Sequence, residues 1–160
     1  GAILSFDPNI REPLWKDMED ARTQMAYGLS VCDILKISDN EIQWFSGKED
    51  YTEGIHMLQQ TCQIPLILLS MGKDGSRAYY KDMLVEVPAF LQKNTIETTG
   101  AGDTFGACCL HHILKYGLDN LTKQQLKEML TFANAAASII TTRKGALRVM
   151  PSLEEIQRLL

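Results

Sequence analysis

Apolar residues recur along this chain in two rhythms, and the points where the rhythm changes divide it into alternating strands and helices. Residues 1–5 form a short apolar run that reads as a buried strand. The turn Asp7-Pro8-Asn9 ends it, because Pro8 biases its predecessor away from helix and Asn9 suits a turn. Over residues 15–29, Trp15, Met18, Ala21, Met25, Ala26 and Leu29 recur at three- and four-residue steps, which predicts a helix with one face on a sheet. A short strand is expected at residues 33–37. Ser38 then stands at a helix start with Glu41 three residues on, the spacing of a capping box. After a helix at residues 52–61, Pro65 opens Leu66-Ile67-Leu68-Leu69, four large aliphatics in succession that suit a strand covered on both faces.

Gly72 and Gly75 punctuate a turn, and residues 77–80 and 83–87 read as a hairpin around Lys81-Asp82. After Gly100-Ala101-Gly102, the residues Phe105, Ala107, Cys108, Leu110 and Leu114 predict a long buried helix that Gly117 ends. Thr122 caps a further helix, whose small-residue run at 133–138 permits close packing. Pro151-Ser152 opens a last short helix carrying Leu153, Ile156, Leu159 and Leu160. This order predicts a three-layer α/β domain with its ligand loops at the carboxyl ends of the strands, where the glycines at 72–75 and 100–102 fall.

The chain has 160 residues, 45% of them hydrophobic and 22% charged, the composition of a globular protein that buries one core. No apolar stretch is long enough to cross a bilayer. The apolar start lacks the basic region of a secretion signal, and a buried strand at residue 1 predicts chain upstream of it. Sixteen basic against twenty acidic residues give a net charge of −4, which argues against a nucleic-acid surface but leaves room for a small anion. Cys32, Cys62, Cys108 and Cys109 form no C-x-x-C pair, and His56, His111 and His112 complete no zinc spacing. Free thiols in a reducing cytoplasm are expected. Trp15 and Trp44 are read as core or interface anchors, core packing foremost, and Arg143, Lys144 and Arg148 as a solvated loop.

Chemistry concentrates in Thr98-Thr99-Gly100-Ala101-Gly102-Asp103-Thr104-Phe105. Two glycines around an alanine let the backbone approach a ligand, and the helix that follows offers free N–H groups with a positive dipole end. Asp103 beside such an anion site has two readings. It accepts a proton from an attacking hydroxyl while the amides stabilise a transferring phosphoryl group, or it only stabilises the helix terminus.

That octapeptide resembles the T-T-G-A-G-D-T-F signature of the ribokinase-like (PfkB) carbohydrate kinases. Asp7-Pro8-Asn9-Ile10-Arg11 with Leu14-Trp15 resembles the D-P-N-x-R strand end of the fructokinase branch, and Lys36-Ile37-Ser38-Asp39-Asn40-Glu41 resembles its K-x-S-x-x-E form. Ser70-Met71-Gly72-Lys73-Asp74-Gly75 is similar to the family's nucleotide-side turn. Phe132-Ala133-Asn134-Ala135-Ala136-Ala137 and Thr142-Arg143-Lys144-Gly145-Ala146, with Pro151, are similar to its last helix and loop. The resemblance covers nearly the whole chain.

It implies a ribokinase-like fold of which residues 1–160 are the C-terminal portion, with a sugar-binding half and a lid upstream. It implies ATP-dependent phosphorylation of a sugar hydroxymethyl group, fructose foremost. A nucleotide-binding fragment without transfer, or a kinase for ribose, a nucleoside or a deoxy-keto sugar acid, is the alternative. By the same resemblance Asp103 is the base, and the backbone of Gly100, Ala101 and Gly102 is the anion hole. Ser70, Gly72, Gly75, Asn134, Lys36 and Gly145 line the nucleotide, and Asn9, Arg11 and Thr99 lie on the phosphate and substrate side. For Arg11 a surface salt bridge is the other reading. Glu41 acts on Mg²⁺ through water. Family members often carry aspartate before the signature, where it supports a monovalent cation; Glu97 is one methylene longer, so the resemblance reaches K⁺ only through a longer side chain. The family also implies a homodimer built from the lid.

Overall fold

Short buried apolar runs become strands. In the computed structural model, which describes residues 1–160, β1 (Ser5–Phe6), β2 (Ile34–Ser38) and β3 (Leu66–Ser70) pair in parallel, with Phe6 opposite Leu35 and Leu35 opposite Ile67. Two compact units share the chain: Gly1–Ser70 with Tyr79–Asp82, and Met71–Ala78 with Met83–Leu160.

In the first unit the order of neighbours is β1, β2, β3 and then the end of β4 (Ser76–Tyr80). All four aliphatics of β3 are buried, as their run predicts, each contributing about 2 kcal/mol of apolar transfer. Between the parallel strands lie α1 (Met18–Val31), α2 (Asp39–Ser46) and α3 (Tyr51–Thr61). Ala21, Met25 and Leu29 form the buried face of α1, at steps of four. A Cβ on Gly28 of that helix would stand 2.5 Å from the Phe6 ring, so glycine sets how closely α1 approaches β1. The capping box of α2 is formed: Ser38 Oγ accepts from Glu41 N, and the Glu41 carboxylate accepts from Ser38 N.

The structure corrects several of the sequence expectations. The strand expected at residues 1–5 is confined to Ser5–Phe6, with Ile3 53% and Leu4 49% exposed, because β1 is the edge strand and has only β2 beside it. The helix expected from residue 15 starts at Met18, since Asp17 Oδ1 takes the Glu19 N–H at 2.9 Å and so caps it there. Trp15 thus falls outside the helix and is exposed, not core. Trp44 is half-buried under the Arg22 guanidinium, which lies 4.7 Å from its ring and donates to the Trp44 and Phe45 carbonyls.

The second unit holds the start of β4, β5 (Met83–Val87) and α4 (Ala101–Tyr116), α5 (Lys123–Ile140) and α6 (Leu153–Leu159). The link between the two strands turns at Lys81, whose φ is 52°, where the hairpin was expected. Helix α5 carries the small-residue run, and Ala135 and Ala136 pack against Ile156 of α6 with Phe90, Cys108 and Phe132 around them. On α4 the buried apolar face is Phe105, Cys109 and Ile113, at steps of four. Leu114, expected inside, is 86% exposed because it stands one position off that stripe. No helix is long and apolar enough to cross a membrane.

Candidate functional site

In the first unit the segment after β1 meets β2 and the start of α2 through Asp7, Lys36, Ser38 and Glu41. With Phe6 opposite Leu35, the next residue of each strand places Asp7 beside Lys36. Lys36 is only 8% exposed, and its Nζ stands 3.1 Å from Asp7 Oδ2 and 3.2 Å from Oδ1. A buried ammonium requires such a partner. Asp7 stands in the D-P-N-x-R motif but was given no place in the site, although its position just beyond the strand, in parallel register with a lysine, is a readable signal.

Asn9 follows with a φ of 43°, in the left-handed region that asparagine tolerates, and its side chain is exposed. Ile10 N then donates to Glu41 Oε1 at 2.9 Å, while Glu41 Oε2 accepts from Ser38 N at 2.9 Å and Ser38 Oγ at 2.8 Å. Glu41 therefore ties the Asp7-to-Arg11 turn to the start of α2. Arg11 is exposed and donates to the Ile10 carbonyl at 3.0 Å. No carboxylate pairs with it, which corrects the salt-bridge reading. Ser70, at the end of β3, directs its hydroxyl to the Ile37 carbonyl at 3.5 Å.

No group of three His, Cys, Asp or Glu side chains is placed to hold a metal. One carboxylate with an Oε1 lone pair to spare suits an ion that keeps its own waters, so Glu41 fits Mg²⁺ through water and no direct cage.

In the second unit the turn after β3 is a 3-10 turn, Gly72–Asp74, closed by Met71 N donating to Gly75 O at 2.9 Å. Gly75 has a φ of 97°, and a Cβ there would collide with the Val87 carbonyl oxygen. Beside it, buried Asn134 accepts from Ser76 Oγ at 2.9 Å and donates from Nδ2 to the Val87 and Pro88 carbonyls, both at 3.1 Å. Both donors of the Asn134 amide are thus engaged by backbone, and its partner Ser76 is a second residue the motifs did not single out.

Helix α4 begins behind Gly100, whose φ of 79° makes it the left-handed entry to the helix, and no side chain caps the terminus. Ala101 N donates to Thr98 O at 3.1 Å, and Thr104 N donates to Gly100 O at 2.9 Å. The Ala101 amide expected in the anion hole is therefore engaged in the turn, and the uncapped donors of the first turn are the N–H groups of Gly102 and Asp103. The Asp103 side chain is exposed and takes part in no hydrogen bond or ion pair. Buried Thr104 donates to the Gly100 carbonyl at 2.8 Å and fixes the entry from within. Thr99 is exposed in the approach to the helix. The Glu97 carboxylate accepts from Gly145 N at 2.7 Å.

The profile of the pfkB family carbohydrate kinases matches residues 1–153. Fructokinase-1 of Zea mays is 36% identical over 160 residues, the whole of this chain and 49% of that protein. The chain spans about half the length of the curated relatives it matches. Fructokinase from Vibrio cholerae O395, solved with fructose, ADP and calcium ion, superposes with a TM-score of 0.91 at 28% identity, covering 100% of this chain and 51% of that one. Fructokinase from Xylella fastidiosa with bound ATP gives a TM-score of 0.86 at 28% identity, covering 99% of this chain and 52% of that one.

Proposed function

The chain belongs to the pfkB family of carbohydrate kinases, and on that premise we propose that it supplies the nucleotide site, the anion hole and the base for transfer of the ATP γ-phosphoryl group to a sugar hydroxymethyl group. Its α/β fold, with six helices and a mixed sheet, matches carbohydrate kinase structures. The observation that carries the proposal is the start of α4, where two uncapped N–H groups adjoin an exposed carboxylate that nothing in the chain engages. In water that placement of Asp103 gains little. Beside a bound phosphoryl group it puts a proton acceptor where an alcohol must lose its proton.

In this reading Asp103 takes the hydroxyl proton as the alcohol oxygen attacks the γ-phosphorus, the bond from that phosphorus to the β,γ-bridging oxygen breaks to release ADP, and the Gly102 and Asp103 amides stabilise charge on the transferring group. Thr99 and Gly100 shape the approach to that hole. The Ser70-to-Gly75 turn and Gly145 flank the nucleotide, and Asn134 acts by holding the Val87-Pro88 backbone in place. Lys36, with its charge balanced by Asp7, and Asn9 and Arg11 serve the phosphate and substrate side. Glu41 would hold Mg²⁺ through water, and the bound ion would neutralise phosphate charge.

Fructose is the acceptor we favour, since relatives such as those of Zea mays and Klebsiella pneumoniae are named fructokinases and the fructokinase of Vibrio cholerae was solved with fructose, ADP and calcium ion. We assign residues 1–160 to the C-terminal half of such an enzyme, on the order of the motifs along the chain. A reducing cytoplasm, where four thiols stay free, and a homodimer complete the reading. Titration calorimetry of the chain with Mg-ATP, ADP and fructose tests it. Saturable heat with either nucleotide and none with fructose is expected, and absence of nucleotide heat would overturn the assignment.

A further inference from the structure

Thr104 has two acceptors within reach of its hydroxyl at the entry to α4. Its Oγ stands 2.8 Å from the Gly100 carbonyl oxygen and 3.1 Å from the Met150 sulfur, and a hydroxyl has one proton for the two. A thioether is the weaker acceptor, so the proton goes to Gly100 and closes the left-handed entry from within. Thr104 is 3% exposed, whereas Met150 is only half-buried and open to a small oxidant. Of the seven methionines, Met25, Met71 and Met129 are buried, and Met150 alone has its sulfur within hydrogen-bond distance of a hydroxyl. The backbone gives Met150 little freedom to withdraw. It follows the 3-10 turn Leu147–Val149 at φ −53° and ψ 132°, the extended conformation that Pro151 favours in the residue before it.

We propose that Met150 is an oxidation site through which a peroxide loosens the start of α4. Its consequence for ADP rests on the nucleotide-site reading above. A lone pair on the Met150 sulfur attacks one oxygen of hydrogen peroxide, and the O–O bond breaks as the S–O bond forms. Sulfur gives up two electrons, and the proton of the transferred oxygen passes to the departing hydroxide, which leaves as water. Methionine sulfoxide reductases reverse the step. The sulfoxide oxygen is a strong acceptor, and a gap of 3.1 Å has no room for it between sulfur and hydroxyl. It draws the Thr104 proton away from Gly100 or pushes the side chain off it. Either way the Gly100 carbonyl keeps only the bond from Thr104 N, and the Gly102 and Asp103 amides lose part of what fixes their turn.

Hydrogen exchange at the Thr104 amide and titration with ADP test this on the protein carrying this chain and on its Met150→Leu variant, before and after hydrogen peroxide. Leucine keeps the apolar volume and has no sulfur. Dithiothreitol follows the peroxide, so that disulfides and sulfenic acids are reduced and sulfoxides are not, and peptide mass spectrometry reads oxidation at each methionine. In the wild type, peroxide is expected to speed exchange at Thr104 and to weaken ADP about fivefold, the loss of one neutral hydrogen bond. Met150→Leu should change in neither. Equal change in both proteins overturns the proposal, because half-buried Met18, Met57 or Met83 would then carry the effect. Unchanged exchange with Met150 oxidised overturns it too, as does a Met150 that resists peroxide while those three oxidise. Faster exchange with unchanged ADP affinity overturns the link from Met150 to the phosphate site. If the untreated protein binds no ADP, the nucleotide-site reading fails, and the exchange comparison decides the oxidation site by itself.

Discussion

Lys36 is buried in the middle of β2 and its charge is met by Asp7, 3.1 Å away at the end of β1. The pair couples the turn carrying Asn9 and Arg11 to the sheet. Removing the carboxylate leaves an ammonium without a partner, so Asp7→Ala should cost about 3 kcal/mol in urea unfolding. Adding Lys36→Met should recover most of that loss, because the remaining site is apolar. A double variant no more stable than Asp7→Ala would count against this account.

Glu41 accepts three hydrogen bonds, from Ile10 N, Ser38 N and Ser38 Oγ. Glu41→Ala should therefore destabilise by about 1–3 kcal/mol and speed exchange of the Ile10 amide. Ser38→Ala, which removes only the cap, should cost about 1 kcal/mol and leave Ile10 protected. Equal exchange at Ile10 in the two variants would show that Glu41 does not hold the turn.

Gly72 and Gly75 have positive φ values of 53° and 97°, yet only the second has backbone in the way of a side chain. Gly72→Ala meets open space and should cost about 1 kcal/mol, the ordinary left-handed penalty. Gly75→Ala adds the collision with the Val87 carbonyl and should cost at least about 2 kcal/mol. Thermal unfolding of the two variants in parallel reads the difference.

Burial pushes the Cys32 and Cys108 thiols up to about 11, and that of Cys109 well above its usual 9.0. In the unfolded chain these thiols ionise near 9.0, so the folded state favours their neutral form. Their contribution to stability is complete below that pH and is lost as the pH rises from about 9 toward 11. The urea midpoint should fall across that window. At pH 8 a disulfide reagent should label half-exposed Cys62 first, and equal labelling of all four thiols would contradict the burial argument.

The parts of this fold that are local in sequence were legible before the structure: the capping box at Ser38, the helix cap at Thr122, the aliphatic run of β3 and the turn at Lys81. Each is decided within a few residues by propensity and hydrogen-bond chemistry. What periodicity missed depends on partners far along the chain. Asp17 moves the start of α1 past Trp15, β1 has a neighbour on one side only, and the bonds from Asn134 to Ser76, Val87 and Pro88 span 46 to 58 positions. The site followed the same division. Gly100, Gly102 and Asp103 lie in one contiguous motif, whereas Asp7 and Ser76 are given their places by sheet register and by α5.

The central claim is that Asp103 acts as a base at a nucleotide phosphate site, and one paired measurement tests it. Phosphoryl transfer from Mg-ATP to fructose and binding of ADP are compared between the protein carrying this chain and its Asp103→Asn variant. The account predicts ADP affinity within about twofold of wild type, since the amides remain, and turnover lower by about a hundredfold or more, the contribution of a positioned general base. Turnover close to wild type in the variant would contradict it.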